Sequence, residues 1–323
     1  MKHLLRRIGF YLVALWASIT INFIIPRLAP GDPTGAVMAH FQGRMSPQAI
    51  HSLQLQFGIS HDPLFLQYFQ YISNLFHGDL GTSFTYFPTP VSTVLAQEIP
   101  WTLALVGISV VISFTLGTLI GVLIAWRRGS LLDSVLPPIL TFFSAIPYFW
   151  LALIMLYLFA YTLNWFPLNG GYATSTTIGW NTDFLLSALY HGLLPACAIV
   201  LASIAGWMLG MRNTMITTMT EDYVVLAEAK GLSQRRIMFS YAARNAILPN
   251  VTGFALSLGF VIGGSLLTEV VFSYPGIGFA LLQAAQNSDY PLLQGIFLLI
   301  ALAVLGANFI ADLVYVVLDP RVR

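Results

Sequence analysis

Uncharged apolar runs alternate with short polar stretches along this chain. Ile8–Pro26 is the first run and Ile99–Trp126 the second. Ser134–Thr182 is too long for one crossing and is cut near Phe166, where Pro167-Leu-Asn-Gly-Gly-Tyr172 interrupts any helix. Phe184–Met211, Asn245–Thr268 and Tyr290–Ala311 complete the set. Each run can cross a hydrocarbon core of about 30 Å as a helix of about 20 residues. Lipid leaves no water to satisfy exposed backbone groups, so a helix is the form such runs take. The pattern predicts an all-α polytopic membrane protein with six transmembrane helices.

Composition agrees. Of 323 residues, 57% are hydrophobic and 8% charged, and the mean hydropathy is +0.77. The start, Met1-Lys-His-Leu-Leu-Arg-Arg7, has the basic flank of a signal sequence. No small-residue cleavage site precedes the next polar stretch, so a retained first span is expected. Cys197, the one cysteine, excludes a disulfide framework and a cysteine-rich metal site.

Charge placement orients the spans. With the N-terminus in the cytoplasm, Lys2, Arg6, Arg7, Arg127, Arg128, Arg212, Lys230, Arg235, Arg236, Arg244, Arg321 and Arg323 all lie inside. Only Arg27 and Arg44 of the 14 basic residues then lie outside. Both termini are therefore expected on the cytoplasmic side of the cell (inner) membrane. Trp101, Trp126 and Trp165 fall near span ends, where amphipathic rings favour the interface.

Two regions outside the lipid are long. Residues 27–99 form an external segment with two helix signals. One begins at Ser46-Pro47 and stops at Gly58, with Ile50, Leu53 and Phe57 on one face. The other opens at Asp62-Pro63, carries Leu64, Tyr68, Ile72, Leu75 and Phe76 on one side, and stops at Gly78. Both are too short and polar to span and are expected on the outer surface of the bundle. The chain thus reads as a first transmembrane helix (1–26), the external segment (27–99) and a five-helix core (100–323) with a cytoplasmic loop (212–249).

That loop concentrates scarce charge. Glu228-Ala-Lys-Gly-Leu-Ser-Gln-Arg-Arg236 holds Lys230, Arg235 and Arg236 beside Glu228. Topology accounts for the sign of the charge but not for a loop far longer than a helical hairpin needs. The loop is also patterned. Thr218-x-x-Glu221 fits a capping box, and Tyr223, Leu226 and Ala227 are expected on one helical face. Gly231 supplies a stop, and Ser233–Asn245 is helix-compatible again before Leu248-Pro249. A helix, a glycine turn and a second helix make a protruding arm with an apolar face and a basic rim. Such an arm is either a docking element for another protein or a passive tether; its pattern favours docking.

At these residues the chain resembles the permeases of ABC importers, in the form found in the peptide/nickel branch. The matching stretches are Glu221–Pro249, Ala29-Pro-Gly-Asp-Pro33, His77-Gly-Asp-Leu-Gly-Thr-Ser-Phe84, Ser273-Tyr-Pro-Gly-Ile-Gly278 and Leu318-Asp-Pro-Arg-Val-Arg323. In that family the loop carries a coupling helix seated in a cleft of a cytoplasmic ATPase. The general importer motif begins Glu-Ala-Ala and reaches its glycine four residues after the last alanine. Counting back from Gly231, those positions are Val225, Leu226 and Ala227. The motif glutamate is absent, and Glu228 is not its equivalent. Leu248-Pro249 also falls later than in the general pattern; both departures fit the peptide/nickel branch. The resemblance implies an ATPase-coupling loop formed by Tyr223, Val225, Leu226, Ala227, Glu228, Ala229, Lys230, Gly231, Ser233, Arg235 and Arg236.

Other chemistry is poorly supported. No Gly-x-x-x-x-Gly-Lys-[Ser/Thr] cradles nucleotide phosphates, so the chain is expected to be a transport subunit rather than an enzyme. The six histidines (3, 40, 51, 61, 77, 191) show no metal-ligand spacing, and no metal or other cofactor is expected. An intramembrane serine protease would need Ser265 and His191 at hydrogen-bond distance, which nothing enforces. An ion-coupled secondary transporter would need ionisable residues at mid-membrane. Asp312 lies near the cytoplasmic end of the sixth run, where pairing or snorkelling near Arg321 or Arg323 is favoured over an ion site. Glu269 lies at the external end of the fifth. With Tyr274 it is a candidate for an external gate, and a purely structural hydrogen bond is equally consistent.

Gly117-x-x-x-Gly121, Gly206-x-x-x-Gly210 and Gly259-x-x-x-Gly263 let helices approach closely, within the chain or against a second permease. Pro137, Pro138, Pro147 and Pro195 offer kinks. The expectation is a permease forming half of a translocation pathway. Its implied partners are a second homologous permease, two ABC ATPase subunits, an external solute-binding protein and membrane lipid, with no role for nucleic acid. The resemblance implies di- or oligopeptides as cargo; nickel chelates and oligosaccharides are the alternatives.

Overall fold

The computed structural model describes residues 2–28, 63–259, 261, 263 and 265–318, with side chains from residue 7 to 25 and up to residue 310. The first expected external helix (46–58), Ala29–Pro33, the side chain of Asp312 and the C-terminal Asp319–Arg323 lie outside what is described. Every named element among the described residues is helical. Two compact units are present: residues 1–102 with 275–310, and residues 103–274 with 311–323.

In the first unit, α1 (Lys2–Leu28) and α2 (Leu64–Phe76) meet through polar groups. The hydroxyls of Thr20 and Tyr68 lie 2.7 Å apart, and the Asn22 side-chain amide donates to the Tyr71 hydroxyl at 3.3 Å and to the Gln294 carbonyl at 2.7 Å. Phe23 packs edge-on against Tyr68. The limits of α2 are those its sequence signals set: Pro63 precedes it and Gly78, at φ +73°, follows its end. Of the face expected for α2, Tyr68, Ile72 and Leu75 are half-buried, while Leu64 and Phe76 at its two ends are exposed.

The stretch 77–86 is fastened by Asp289. This wholly buried carboxylate accepts from Ser83 Oγ at 2.5 Å and from the Thr85 N–H at 2.9 Å, and its other oxygen accepts from the Leu292 N–H at 3.1 Å. That last bond makes Asp289 the N-cap of α12 (Tyr290–Leu318). In α11 (Ile277–Gln286), the first N–H donates to Thr102 Oγ1.

The second unit is built on α3 (Val91–Trp126, which begins in the first) and α6 (Thr182–Thr218). Gly117 and Gly121 are where they touch. A Cβ on Gly117 would stand 2.7 Å from the Ile204 carbonyl oxygen, and one on Gly121 2.6 Å from that of Met208. This pair therefore serves packing within the chain. Gly210 is similarly filled by Asn250 Oδ1, whereas a Cβ on Gly206 meets nothing within 4 Å. Asn250, on α9 (Leu248–Gly259), donates to the Trp207 carbonyl at 2.9 Å and to Thr118 Oγ1 at 3.3 Å, and Phe114 stacks on Phe254. Burying an amide this way requires such partners.

Among the described residues, four helices are long and apolar enough to cross a membrane: Arg7–Ile25, Val91–Trp126, Thr182–Thr218 and Tyr290–Ile310. A further pair, α4 (Leu131–Ala145) and α5 (Tyr148–Met155, continued as π-helix Leu156–Thr162), is long and apolar enough only when taken together and is bent by 96° at the break. Pro147 sits there as the N-cap of α5, so the expected kink is a full break. Pro137, Pro138 and Pro195 instead lie within continuing helices. The expected fifth span is not continuous: α9 ends at Gly259, and α10 (Leu266–Val271) starts afresh. Glycine-rich Gly259–Gly264 contributes little helix propensity across that interval.

Candidate functional site

The arm begins where α6 ends at Thr218. The capping box expected from Thr218-x-x-Glu221 does not form. Thr218 belongs to the last turn of α6, with its hydroxyl bonded to the Thr214 carbonyl at 2.9 Å, and Glu221 is itself the N-cap of α7 (Asp222–Ala229). The threonine is claimed by the longer helix.

The end of α7 follows its glycine. The Gly231 N–H donates to the Glu228 carbonyl at 2.9 Å and the Leu232 N–H to that of Ala227 at 3.3 Å, with Gly231 at φ +69°. This is a Schellman closure, in which the left-handed residue is almost always glycine. Ser233 then starts a second helical run, α8 (234–246), through its backbone carbonyl, which accepts from the Arg236 and Ile237 N–H groups. Within α8, Ile237–Ala243 is π-helical.

Two apolar clusters seat the arm. Val224, Ala227 and Ile237 are buried together, with Trp126, Leu232 and Tyr241 packed around them. Met238, Ala242, Ala243 and Ala246 pack with Val122, Ala125, Met211 and Met215, again with Trp126 alongside. Trp126, at the end of α3, thus touches both clusters. Sequence reasoning had placed it only as an interfacial ring.

The face expected from Tyr223, Leu226 and Ala227 is divided. Ala227 is buried, while Tyr223, Val225 and Leu226 are exposed at 38%, 53% and 55%. The inward arc is centred between Val224 and Ala227 because Ile237 and Trp126 lie there. The other arc presents Leu226 and Tyr223 outward, with Glu228, Ala229, Lys230, Gly231, Ser233, Arg235 and Arg236 all exposed nearby in the chain. Exposed apolar side chains on a short helix with basic residues beside them form a surface suited to a protein partner.

The candidate gate residues also come together. Glu269 on α10 is fully buried and Tyr274 nearly so. The Tyr274 N–H donates to the Glu269 carbonyl at 2.8 Å, closing α10 with Ser273 at φ +45°, where glycine would be unstrained. Burial, and then the Glu269 carboxylate, raise the Tyr274 phenol well above its ordinary range, so it stays protonated. The loop after π-helix Leu156–Thr162 is tied to the same turn, the Gly170 N–H donating to the Phe272 carbonyl at 3.0 Å. His191 does not form the pair a serine protease needs: its Nδ1 lies 2.8 Å from the Ser187 carbonyl, and among the described residues Ser265 Oγ has no hydrogen-bond partner.

One contact was invisible in the sequence. Arg212 Nε donates to Asp133 Oδ1 at 2.7 Å, joining α6 to the start of α4 across 79 positions.

Residues 117–323 match the family described as the inner membrane component of binding-protein-dependent transport systems. The oligopeptide transport system permease protein AppB of Bacillus subtilis (strain 168) is 33% identical over 99% of both chains. The di/tripeptide transport system permease protein DppB of Pseudomonas aeruginosa (strain UCBPP-PA14) is 35% identical over 98% of this chain and 97% of its own. A membrane chain that is helical throughout its described elements, carries a seated arm between α6 and α9 and is matched across the whole of α6–α12 belongs to the inner membrane components of binding-protein-dependent transport systems.

Proposed function

We propose that this chain is the permease subunit of an ATP-driven importer of di- or oligopeptides and supplies half of the pathway. The observation that carries this reading is the end-to-end similarity to two peptide permeases. Those relatives favour peptides over nickel chelates or oligosaccharides. Hydrolysis belongs to two ATPase subunits that dock on the exposed side of α7, using Tyr223, Val225 and Leu226 as apolar contacts and Lys230, Arg235 and Arg236 as a basic rim. A second homologous permease closes the pathway, and a solute-binding protein delivers cargo on the external side. Both termini lie in the cytoplasm, as the basic flanks require. Glu269 and Tyr274 contribute to an external gate, a role supported by their burial together at the turn that ends α10.

Uptake of labelled short peptides in cells expressing the complete transporter tests this. Uptake should survive an uncoupler while ATP is maintained and stop when ATP is depleted. Collapse with the ion gradient at constant ATP points to a secondary transporter and rules the proposal out.

A further inference from the structure

Motion of the arm helps transport only if it reaches the helices that line the pathway, and the second unit contains a specific connection. The arm sits on Met211 and Met215 of α6. Next to Met211 in sequence, Arg212 leaves that cluster and reaches Asp133. The carboxylate is occupied on both sides. Oδ1 takes the Arg212 Nε–H at 2.7 Å, while Oδ2 takes the Gly129 N–H at 3.0 Å, with Gly129 at φ +79°. Ser130 caps α4 in the same turn, its Oγ accepting from the Asp133 N–H at 3.3 Å. Asp133 is therefore locked to the turn that starts α4 and to the side of α6 at once.

Farther along the two helices, the contact is apolar. Leu140 packs with Ala205 and Met208, and Leu136 and Leu209 flank them. Ser144 Oγ adds a bond, to the Leu201 carbonyl at 3.2 Å. Apolar contacts of this kind are non-directional and allow neighbouring registers. A charge-assisted bond to a guanidinium with fixed geometry does not. The side chain of Asp133 is 8% exposed and that of Arg212 23%, so solvent screens the pair only in part.

We propose that Asp133 and Arg212 are the positioning pair that fixes the register of α4 on α6, so that displacement of the arm moves both helices together. Without the pair, α6 would shift along α4 while the bent segment beyond Pro147 stayed in place. Hydrolysis would then continue with less transport. This inference rests on the ATPase-driven reading above.

The test uses the complete transporter reconstituted in proteoliposomes with Asp133→Asn, Arg212→Gln, the double neutral variant and Arg212→Lys. ATP hydrolysis and peptide uptake are measured together. Each neutral variant should keep its ATPases and hydrolyse ATP, with uptake per ATP reduced on the order of fivefold. The double variant should be no worse than either single one, because both remove the same link. Arg212→Lys should fall between them and the wild type, since it keeps the charge and loses the planar fork. Unchanged uptake per ATP in both neutral variants overturns the inference, as does a double variant whose loss is the product of the single losses. If Arg212→Gln fails to assemble, Arg212→Lys alone decides: wild-type coupling refutes the pair, reduced coupling in an assembled complex supports it. A wild-type complex that does not hydrolyse ATP defeats the functional reading first, and the inference with it.

Discussion

Gly231 shows how much one position constrains. Its φ of +69° closes α7, and nothing lies within 4 Å of where a Cβ would stand. The cost of a side chain there is backbone strain rather than crowding, on the order of 1–3 kcal/mol for a β-branched residue. Gly231→Val should therefore distort the arm and weaken ATPase retention by roughly tenfold, measured by co-purification at unchanged permease expression. Arg235→Ala and Arg236→Ala should each do less, because exposed rim charges contribute modestly. Gly121 presents the opposite case. It has room problems instead: a Cβ would stand 2.6 Å from the Met208 oxygen and 2.8 Å from Met211 Cβ. Gly121→Val should cost about 2–3 kcal/mol of bundle stability by overpacking, while Gly206→Ala, with open space, should leave the midpoint of thermal unfolding unchanged. A similar midpoint for the two variants would contradict the packing described between α3 and α6. The sequence marked all these glycines alike, since spacing does not say which helix stands opposite.

At the scale of elements, legibility depended on whether the deciding contact was local. The limits of α2 were readable because Pro63 and Gly78 act on adjacent backbone, and the Gly231 turn was readable for the same reason. The capping box misled because Thr218 could serve either of two helices, and the length of α6 decided for the first. Hydropathy averaged over Asn245–Thr268 sees one apolar stretch; the described backbone instead forms one helix to Gly259 and another from Leu266, with Val261 and Gly263 in turns between them. The inward side of α7 was misread because Ile237 and Trp126, which cover it, come from elsewhere in the chain. Trp126 is accordingly a sharper probe of the arm than any residue on α7. Trp126→Ala should remove about 3 kcal/mol of packing and speed amide hydrogen exchange across residues 222–246, with little change along residues 182–200. Protection of 222–246 equal to wild type would show that α8 alone holds the arm.

For the whole molecule, the strongest sequence signal was the asymmetry of basic residues, and its consequence is a labelling pattern. In a variant with Cys197 replaced, an impermeant thiol reagent added to intact cells should label a cysteine at position 87 and spare one at position 234. Labelling of 234 from outside would invert the proposed topology. Long-range pairings such as Asp133–Arg212 and Asp289–Ser83 lay beyond sequence reasoning, because charge counting assigns each residue to a side of the membrane and not to a partner. The 37 residues of α6 amount to about 55 Å of helix against a hydrocarbon core of about 30 Å. Its contact with α4 through the Leu201 carbonyl divides it into arms of comparable length. Met215, under the arm, and Ser187, one turn before His191, are each about 21 Å from that point. Because this bond and the Asp133–Arg212 pair hold α4 to α6 at two points, the two helices tilt as one body, and a thrust at one end is carried to the other. Gly192, beyond that point, lies beside the hydroxyl of Tyr274, with a Cβ there 3.6 Å from it, so displacement of α6 changes the space around that ring.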